Sequence, residues 1–135
     1  MNVSFDLQWK TFKQKPAAEL FSEYVNQISK FSSGGSKKGN AKEKVWVCDR
    51  SGKTLSSEAL AEQVEKIRDS GSRHLRVILG GPDGFSKDGL SKLNLDFIWS
   101  FGPMTLPHEL AAVIAAEQIY RALTILGRLP YHTKH

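Results

Sequence analysis

The sequence predicts an α/β protein whose mostly parallel sheet is flanked by helices. Segments with strand-type and helix-type periodicity alternate along the 135 residues. Such alternation is typical of parallel strands joined by crossover helices. A chain of this length can bury roughly two thirds of the surface that it exposes when unfolded. We therefore predict one domain, residues 1–135.

The first part of the chain is predicted to form one strand and one helix. Apolar and polar residues alternate from Val3 to Trp9, as in a strand with one buried face. From Pro16, apolar residues recur at helical spacing as far as Phe31. Residues 32–44, SSGGSKKGNAKEK, contain no apolar residue larger than alanine. They predict a flexible polar loop, either simply solvated or basic and in contact with RNA.

The middle of the chain continues the alternation. A short buried strand, KVWVCD, precedes a predicted turn, RSGKTLSSE. Ser56 or Ser57 in that turn is the expected N-cap of a second helix, which Gly71 ends. The strand HLRVIL follows, then a glycine turn and a short helix capped by Ser86.

The last part contains the strand DFIWSF, a second glycine turn and a long final helix. This helix begins near Pro107 and runs to about Leu126. It is apolar almost all the way round, so we expect it to be buried on several sides.

Composition limits the possible functions. The formal charge of +5 and pI near 9.4 are compatible with a polyanion partner such as RNA. A single cysteine, Cys48, excludes an internal disulfide and a CxxC site. No apolar run approaches the roughly 20 residues of a membrane span, and the amino terminus does not resemble a signal peptide. We expect a cytoplasmic protein without a membrane partner.

Two glycine turns, ILGGPDGF and FGPMTLPHEL, follow successive strands. Neither has the GxGxxG order of a dinucleotide site nor the GK[ST] of a P-loop. Glycine does allow a ligand to approach the backbone closely. Since ligands of parallel sheets bind beyond the carboxyl ends of the strands, both turns could lie against one ligand.

The final helix carries a polar stripe of Glu117, Arg121, Thr124 and Arg128. The stripe is either a solvent face with an ion pair between Glu117 and Arg121 or the charged lining of a cleft or subunit interface. His108 could be a surface or capping residue.

The tail is either frayed or folded with Tyr131 and His132 over a site. The spacing of the histidines and acidic residues suggests no metal site.

The motifs VILGGPDGFS, MTLPHEL, AAEQIYRAL and LPYH, in this order and at these spacings, resemble the RlmH family of the SPOUT superfamily. The resemblance covers residues 45 to 132. It implies a parallel α/β sheet whose carboxyl-terminal segment forms a trefoil knot, an exception to the rule against threaded chains. It also implies a homodimer that uses S-adenosylmethionine to methylate N3 of a pseudouridine in helix 69 of 23S ribosomal RNA, in the large subunit or the assembled ribosome.

The resemblance also implies residue roles. The positions that match the cofactor contacts are Cys48, Gly80, Gly81, Phe101, Gly102, Pro103, Met104, Thr105 and Leu106. On the acceptor side we expect Arg121 to orient the substrate or stabilise an anion, with Glu117 as its partner. Tyr131 and His132 are expected to close on the base. His132 is the leading candidate for the general base, and His108 is a supporting one.

The chain departs from the family pattern in its amino-terminal half, which is shortened. Family members carry another strand and helix where this chain has residues 32–44. The first strand lacks the usual glycine-lysine ending, and Pro103 has no N–H to donate to a cofactor. Two other functions therefore stay open: a ribosome- or RNA-binding protein with little activity, and a methyltransferase for another RNA such as tRNA.

Overall fold

The computed structural model describes residues 1–9, 12–31, 43–80 and 85–133. It confirms the predicted fold class, an α/β protein with a four-stranded parallel sheet and helices packed against it. The strands are β1 (Asn2–Leu7), β2 (Glu43–Thr54), β3 (His74–Leu79) and β4 (Phe97–Ser100). The helices are α1 (Lys15–Ser29), α2 (Ser57–Asp69), α3 (Lys87–Ser91) and α4 (His108–Leu126).

The strand order is β1-β3-β2-β4, and each neighbouring pair is parallel. Leu79 of β3 pairs with Leu7 on one side and with Cys48 on the other, and Cys48 pairs with Trp99. This row crosses the whole sheet near the carboxyl ends of β1, β3 and β4 and at the middle of β2. Every loop that leaves those ends therefore begins at the same edge of the sheet.

Helix α4 packs between α1 and α2. Its residues Ala112, Ala115, Ala116, Ile119 and Ala122 are fully buried in the core that the helices form with the sheet. Leu110 is the one large apolar residue of α4 that is exposed. The apolar character of this helix thus reflects packing within the chain, as its sequence predicts.

Caps account for the ends of the shorter helices. The Ser56 hydroxyl accepts a hydrogen bond from the Ala59 N–H at 3.1 Å, so Ser56 is the N-cap of α2. Ser57 instead donates to Oε1 of Gln118 at 2.7 Å and so connects α2 to α4. Ser86 caps α3, as predicted.

The prediction of a turn from Arg50 onward was wrong, because β2 continues to Thr54. Its register against β4 shifts between Cys48 and Lys53, and Lys53 then pairs with Trp99. The polar composition of this segment suggests a turn, but pairing with a distant strand holds it extended.

Element boundaries also differ from the predicted ones. Glu43 and Lys44 belong to β2, whereas residues 32–42 of the predicted loop lie outside the described residues. Trp9 follows β1, and Phe31 follows α1. In the part of the chain that the structure describes, no helix is both long and apolar enough to cross a membrane.

Candidate functional site

A pocket of about 250 Å³ lies beyond the carboxyl ends of the strands. The middle of β2, the loops after β3 and β4 and the first turn of α4 contribute to its walls. Both glycine turns supply lining residues, Gly80 and Phe85 from the first and Gly102 from the second. Segments that are distant in the sequence therefore face one cavity, as the sequence predicted.

Most positions predicted to bind a cofactor line this pocket. They are Cys48, Gly80, Phe101, Gly102, Met104, Thr105 and Leu106. Pro103 is exposed and does not line the cavity, and Gly81 lies outside the described residues. The structure brings these residues together, while their role in binding remains a prediction.

The two glycines shape the pocket in different ways. A Cβ atom added to Gly80 would lie 2.7 Å from Cε2 of Phe85, so the Phe85 ring packs directly on this glycine. Gly102 has φ +105°, a conformation that side chains rarely adopt, and a Cβ atom there would meet nothing within 4 Å. Its N–H donates to the Ser100 hydroxyl at 3.1 Å, which holds the second turn against the end of β4.

Polar groups follow Cys48 in the middle of β2. The Asp49 carboxylate accepts hydrogen bonds from the N–H and the hydroxyl of Ser51 at 3.0 and 2.5 Å. Arg50 donates to the Thr105 hydroxyl at 3.3 Å across the pocket. Burial, helped by the Asp49 carboxylate, raises the pKa of the Cys48 thiol, so this side chain is a neutral part of the wall. The pocket thus combines apolar side chains with one carboxylate and one guanidinium.

His108 is the only one of the five predicted catalytic residues that lines the pocket. Its imidazole packs edge to face on Trp9, with 4.6 Å between ring centroids. The neighbouring Glu109 accepts hydrogen bonds from the N–H groups of Lys13 and Gln14, the latter at 3.0 Å. The start of α4 is therefore fixed against the start of α1, which positions His108.

The other predicted catalytic residues form a second cluster. Arg121 donates from Nε to Oε1 of Glu117 at 2.9 Å and from Nη1 to Nδ1 of His132 at 3.0 Å. The Arg121 guanidinium carbon also lies 4.9 Å from the Tyr131 ring centroid. Nε2 of His132 lies 2.9 Å from Oε1 of Glu58 on α2. The tail is thus folded onto the helices rather than frayed at these two residues.

Hydrogen bonds and burial shift the pKa values of two residues in this cluster. The hydrogen bond that Arg121 donates to the Glu117 carboxylate raises the pKa of Arg121, which keeps the guanidinium charged. Burial, followed by the hydrogen bond with Tyr24, raises the pKa of the Tyr131 phenol. Tyr131 is therefore a neutral group at physiological pH.

The pocket and the cluster are separate within one chain. At about 1.5 Å of rise per residue, the stretch of α4 from His108 to Arg121 is about 20 Å long. The polar stripe is shorter than predicted, because Thr124 is fully buried and Arg128 lies beyond the end of α4. Arg121 is thus not among the residues that line the pocket of its own chain.

The sequence reasoning missed several residues of the two sites. Asp49, Arg50 and Phe85 line the pocket, and Glu58 belongs to the cluster. Asp49 ends the predicted strand KVWVCD and Arg50 follows it, so the rule that ligands bind beyond strand ends could have identified them. Glu58 is 74 positions from its partner His132, and no local pattern indicates such a contact. Across the described ranges, no cluster of three or more histidine, cysteine or acidic residues could hold a metal ion.

Known proteins with similar sequences bear on these sites. A family model described as "Predicted SPOUT methyltransferase" matches residues 8–132. The chain is 48% identical over 86 residues to "Ribosomal RNA large subunit methyltransferase H" of Bartonella bacilliformis, covering 64% of this chain and 52% of that protein. It is 45% identical over 100 residues to the protein of the same name from Brucella abortus (strain S19), covering 74% of this chain and 57% of that protein.

A third protein of that name, from a Psychrobacter species, is 43% identical over 93 residues, covering 69% of this chain and 56% of that protein. The chain spans about half the length of the curated relatives it matches. The family match extends over both the pocket and the cluster. The chain therefore belongs to the SPOUT methyltransferase family, which confirms the family predicted from its motifs.

Proposed function

We propose that this protein is an S-adenosylmethionine-dependent methyltransferase that modifies N3 of a pseudouridine in large-subunit ribosomal RNA. The observation that carries the proposal is the convergence of both glycine turns on one pocket in a chain of this family. Relatives named as ribosomal RNA large subunit methyltransferases support the choice of substrate. A cytoplasmic location follows from a ribosomal substrate.

The pocket residues fit the chemistry of the proposed cofactor. Gly102 leaves backbone uncovered, and the rings of Phe85 and Phe101 offer apolar surface to a flat base. Asp49 could accept hydrogen bonds from hydroxyl or ammonium groups, and Arg50 could donate to a carboxylate. When bound, S-adenosylmethionine supplies an electrophilic methyl group on a sulfonium.

The chain's own groups must position the acceptor and manage its proton. N3 of pseudouridine is an imide nitrogen and must lose a proton, for which a base at the pocket is required. His108 lines the pocket and is held in place by Trp9, so its position suits this role. Arg121 could stabilise an anionic group of the substrate, but not at the pocket of its own chain.

We therefore extend the proposal to a homodimer in which the cluster of one copy faces the pocket of the other. Met104 at the pocket is 70% exposed, and Leu110 in the first turn of α4 is 45% exposed. Exposed apolar side chains beside a pocket are suitable for an interface between copies. The remaining apolar surface of α4 is buried by packing within the chain, so it does not support this part of the proposal. The trefoil knot likewise remains a prediction.

The test is transfer of an isotope-labelled methyl group from S-adenosylmethionine to assembled ribosomes, isolated large subunits and tRNA. Nucleosides from each RNA are then separated by mass spectrometry. We expect labelled N3-methylpseudouridine from the ribosomal samples alone. Label in tRNA would show that tRNA is the substrate instead. Binding of RNA without any transfer of label would indicate an RNA-binding protein rather than an enzyme.

A further inference from the structure

Glu58 contacts the tail at a point where nothing in the sequence indicated a role. We propose that Glu58 is a positioning residue, which acts through His132 to hold the Arg121 guanidinium in the orientation that meets the RNA. The proposal rests on the proposed function, because it takes Arg121 as the group that binds an anion of the substrate. The hydrogen-bond arrangement itself can be tested without any activity.

The arrangement fixes which nitrogen of His132 carries the proton. An arginine can only donate, so Nδ1 of His132 must accept the hydrogen bond from Nη1 at 3.0 Å. Nε2 then carries the hydrogen and donates it to Glu58 at 2.9 Å. A doubly protonated ring would place an N–H against the guanidinium N–H. The geometry therefore matches a neutral imidazole that bridges Glu58 and Arg121.

The bridge leaves most of the guanidinium available. Of its five N–H groups, one bonds to Glu117 and one to His132. In the described ranges, the other three have no acceptor, and the Arg121 side chain is 25% exposed. Held by Glu117 and His132 and placed over the Tyr131 ring, the guanidinium keeps these three N–H groups for paired hydrogen bonds with a phosphate or an imide anion.

Glu58 affects the ring rather than the position of its helix. Helix α2 is connected to α4 independently, through the hydrogen bond from Ser57 to Gln118 at 2.7 Å. The His132 side chain is only 17% exposed, so an unsatisfied Nε2–H would be costly, and the ring would turn to find another acceptor. Loss of the Glu58 carboxylate is thus expected to misplace His132 and Arg121 while α2 stays in place.

This assignment changes the role predicted for His132. Its Nδ1 lone pair is occupied by Arg121, so in this arrangement it cannot take a proton from the substrate. His132 becomes the connection between Glu58 and Arg121. The role of general base then falls to His108, which lies at the pocket.

The first measurement is the pair of imidazole nitrogen chemical shifts of His132 by NMR, in mildly alkaline buffer where an ordinary imidazole is neutral. The wild-type protein should show the form protonated at Nε2. Glu58→Gln keeps an oxygen acceptor and should preserve that form, whereas Glu58→Ala should give a mixture of both forms. Glu62→Gln, an exposed change on the same helix, is the control and should match the wild type.

The second measurement is methyl transfer by the same variants. Glu58→Ala should lower kcat by up to about a hundredfold, as expected when a catalytic group is misplaced, with little change in cofactor affinity. Glu58→Gln should recover most of that loss. Unchanged His132 shifts in Glu58→Ala, or equal defects in the two Glu58 variants, would overturn the proposal. If the wild type transfers no methyl group, the proposed function fails, and the His132 spectra alone decide whether Glu58 positions the ring.

Discussion

Gly80 and Phe85 are in direct contact at the wall of the pocket. A methyl group on Gly80 would lie 2.7 Å from Cε2 and 3.1 Å from Cδ2 of the Phe85 ring. These distances are shorter than van der Waals contact, so the ring and a side chain at residue 80 cannot both keep these positions. The absence of a side chain at Gly80 therefore determines where one wall of the pocket stands.

Gly80→Ala should weaken cofactor binding, on the order of tenfold, while the protein stays folded. The added methyl group meets the edge of a ring that can move, so the strain is relieved by shifting Phe85 into the pocket. Calorimetric titration with S-adenosylmethionine measures the affinity, and urea unfolding measures the stability.

A double-mutant cycle identifies the cause of that loss. Phe85→Leu removes the ring, so adding Gly80→Ala to it should cost little more. If Gly80→Ala weakens binding by the same factor in both backgrounds, the methyl group acts directly on the ligand and not through Phe85.

Gly52→Ala, unlike Gly80→Ala, should lower the stability of the fold. Gly52 lies in the irregular part of β2, and a Cβ atom there would be 2.3 Å from the carbonyl oxygen of Ile98. That oxygen belongs to the backbone of β4 and cannot rotate away. We expect a loss of about 2–3 kcal/mol in the free energy of unfolding, measured by urea denaturation with Gly80→Ala as the matched control. Equal stability of the two variants would contradict this packing.

The convergence of the two turns was predictable because it follows from general rules. Parallel strands end at a common edge, so turns after Leu79 and Ser100 had to begin near each other. The burial of α4 was also predictable, because its sequence is apolar on nearly all sides. Both features depend on local pattern and on a topology that the alternation of elements already suggests.

Other features depend on contacts that local pattern does not encode. Residues 50–54 resemble a turn but continue β2, and Lys53 and Thr54 pair with β4, which lies more than forty positions along the chain. The predicted catalytic set was treated as one site, yet α4 is long enough to place His108 and Arg121 at different ends of it. The bridge from His132 to Glu58 joins two segments whose sequences carry no shared signal.

The Cys48 thiol should react slowly with an aromatic disulfide reagent in the native protein. Only the thiolate is nucleophilic, and each unit by which the pKa rises lowers its fraction at neutral pH about tenfold. Since Cys48 is the only cysteine, the absorbance of the released thiol reports on it alone. Saturating cofactor should slow the reaction further because Cys48 lines the pocket. A native rate equal to that in urea would contradict the prediction.

Arg128→Gly should stabilise the protein. Arg128 is exposed and has φ 55°, the left-handed conformation that follows many helix ends and that glycine adopts without strain. The gain from relieved strain exceeds the entropy lost by glycine, so we expect about 0.5–1 kcal/mol. Thermal unfolding measures the change. Arg128→Ala is the control, because alanine keeps the strain and should not raise the midpoint.

The separation of His108 from Arg121 makes a specific prediction about mixed dimers. If each active site combines the pocket of one copy with the cluster of the other, His108→Asn and Arg121→Gln proteins should each be inactive alone. A mixed dimer would then hold one site with both defects and one site with neither. Random exchange of an equal mixture should restore about a quarter of wild-type methyl transfer.

The mixing experiment also distinguishes the alternatives. Sites contained within one chain would give no recovery, because every pocket would lack either His108 or Arg121. Light scattering on each variant shows whether it still forms the expected oligomer, so that a failure to associate is not mistaken for a failure to complement. Recovery that requires exchange of subunits would place His108 of one copy and Arg121 of the other on opposite sides of one interface. The separation of about 20 Å along α4 within one chain would then not prevent them from acting at one site.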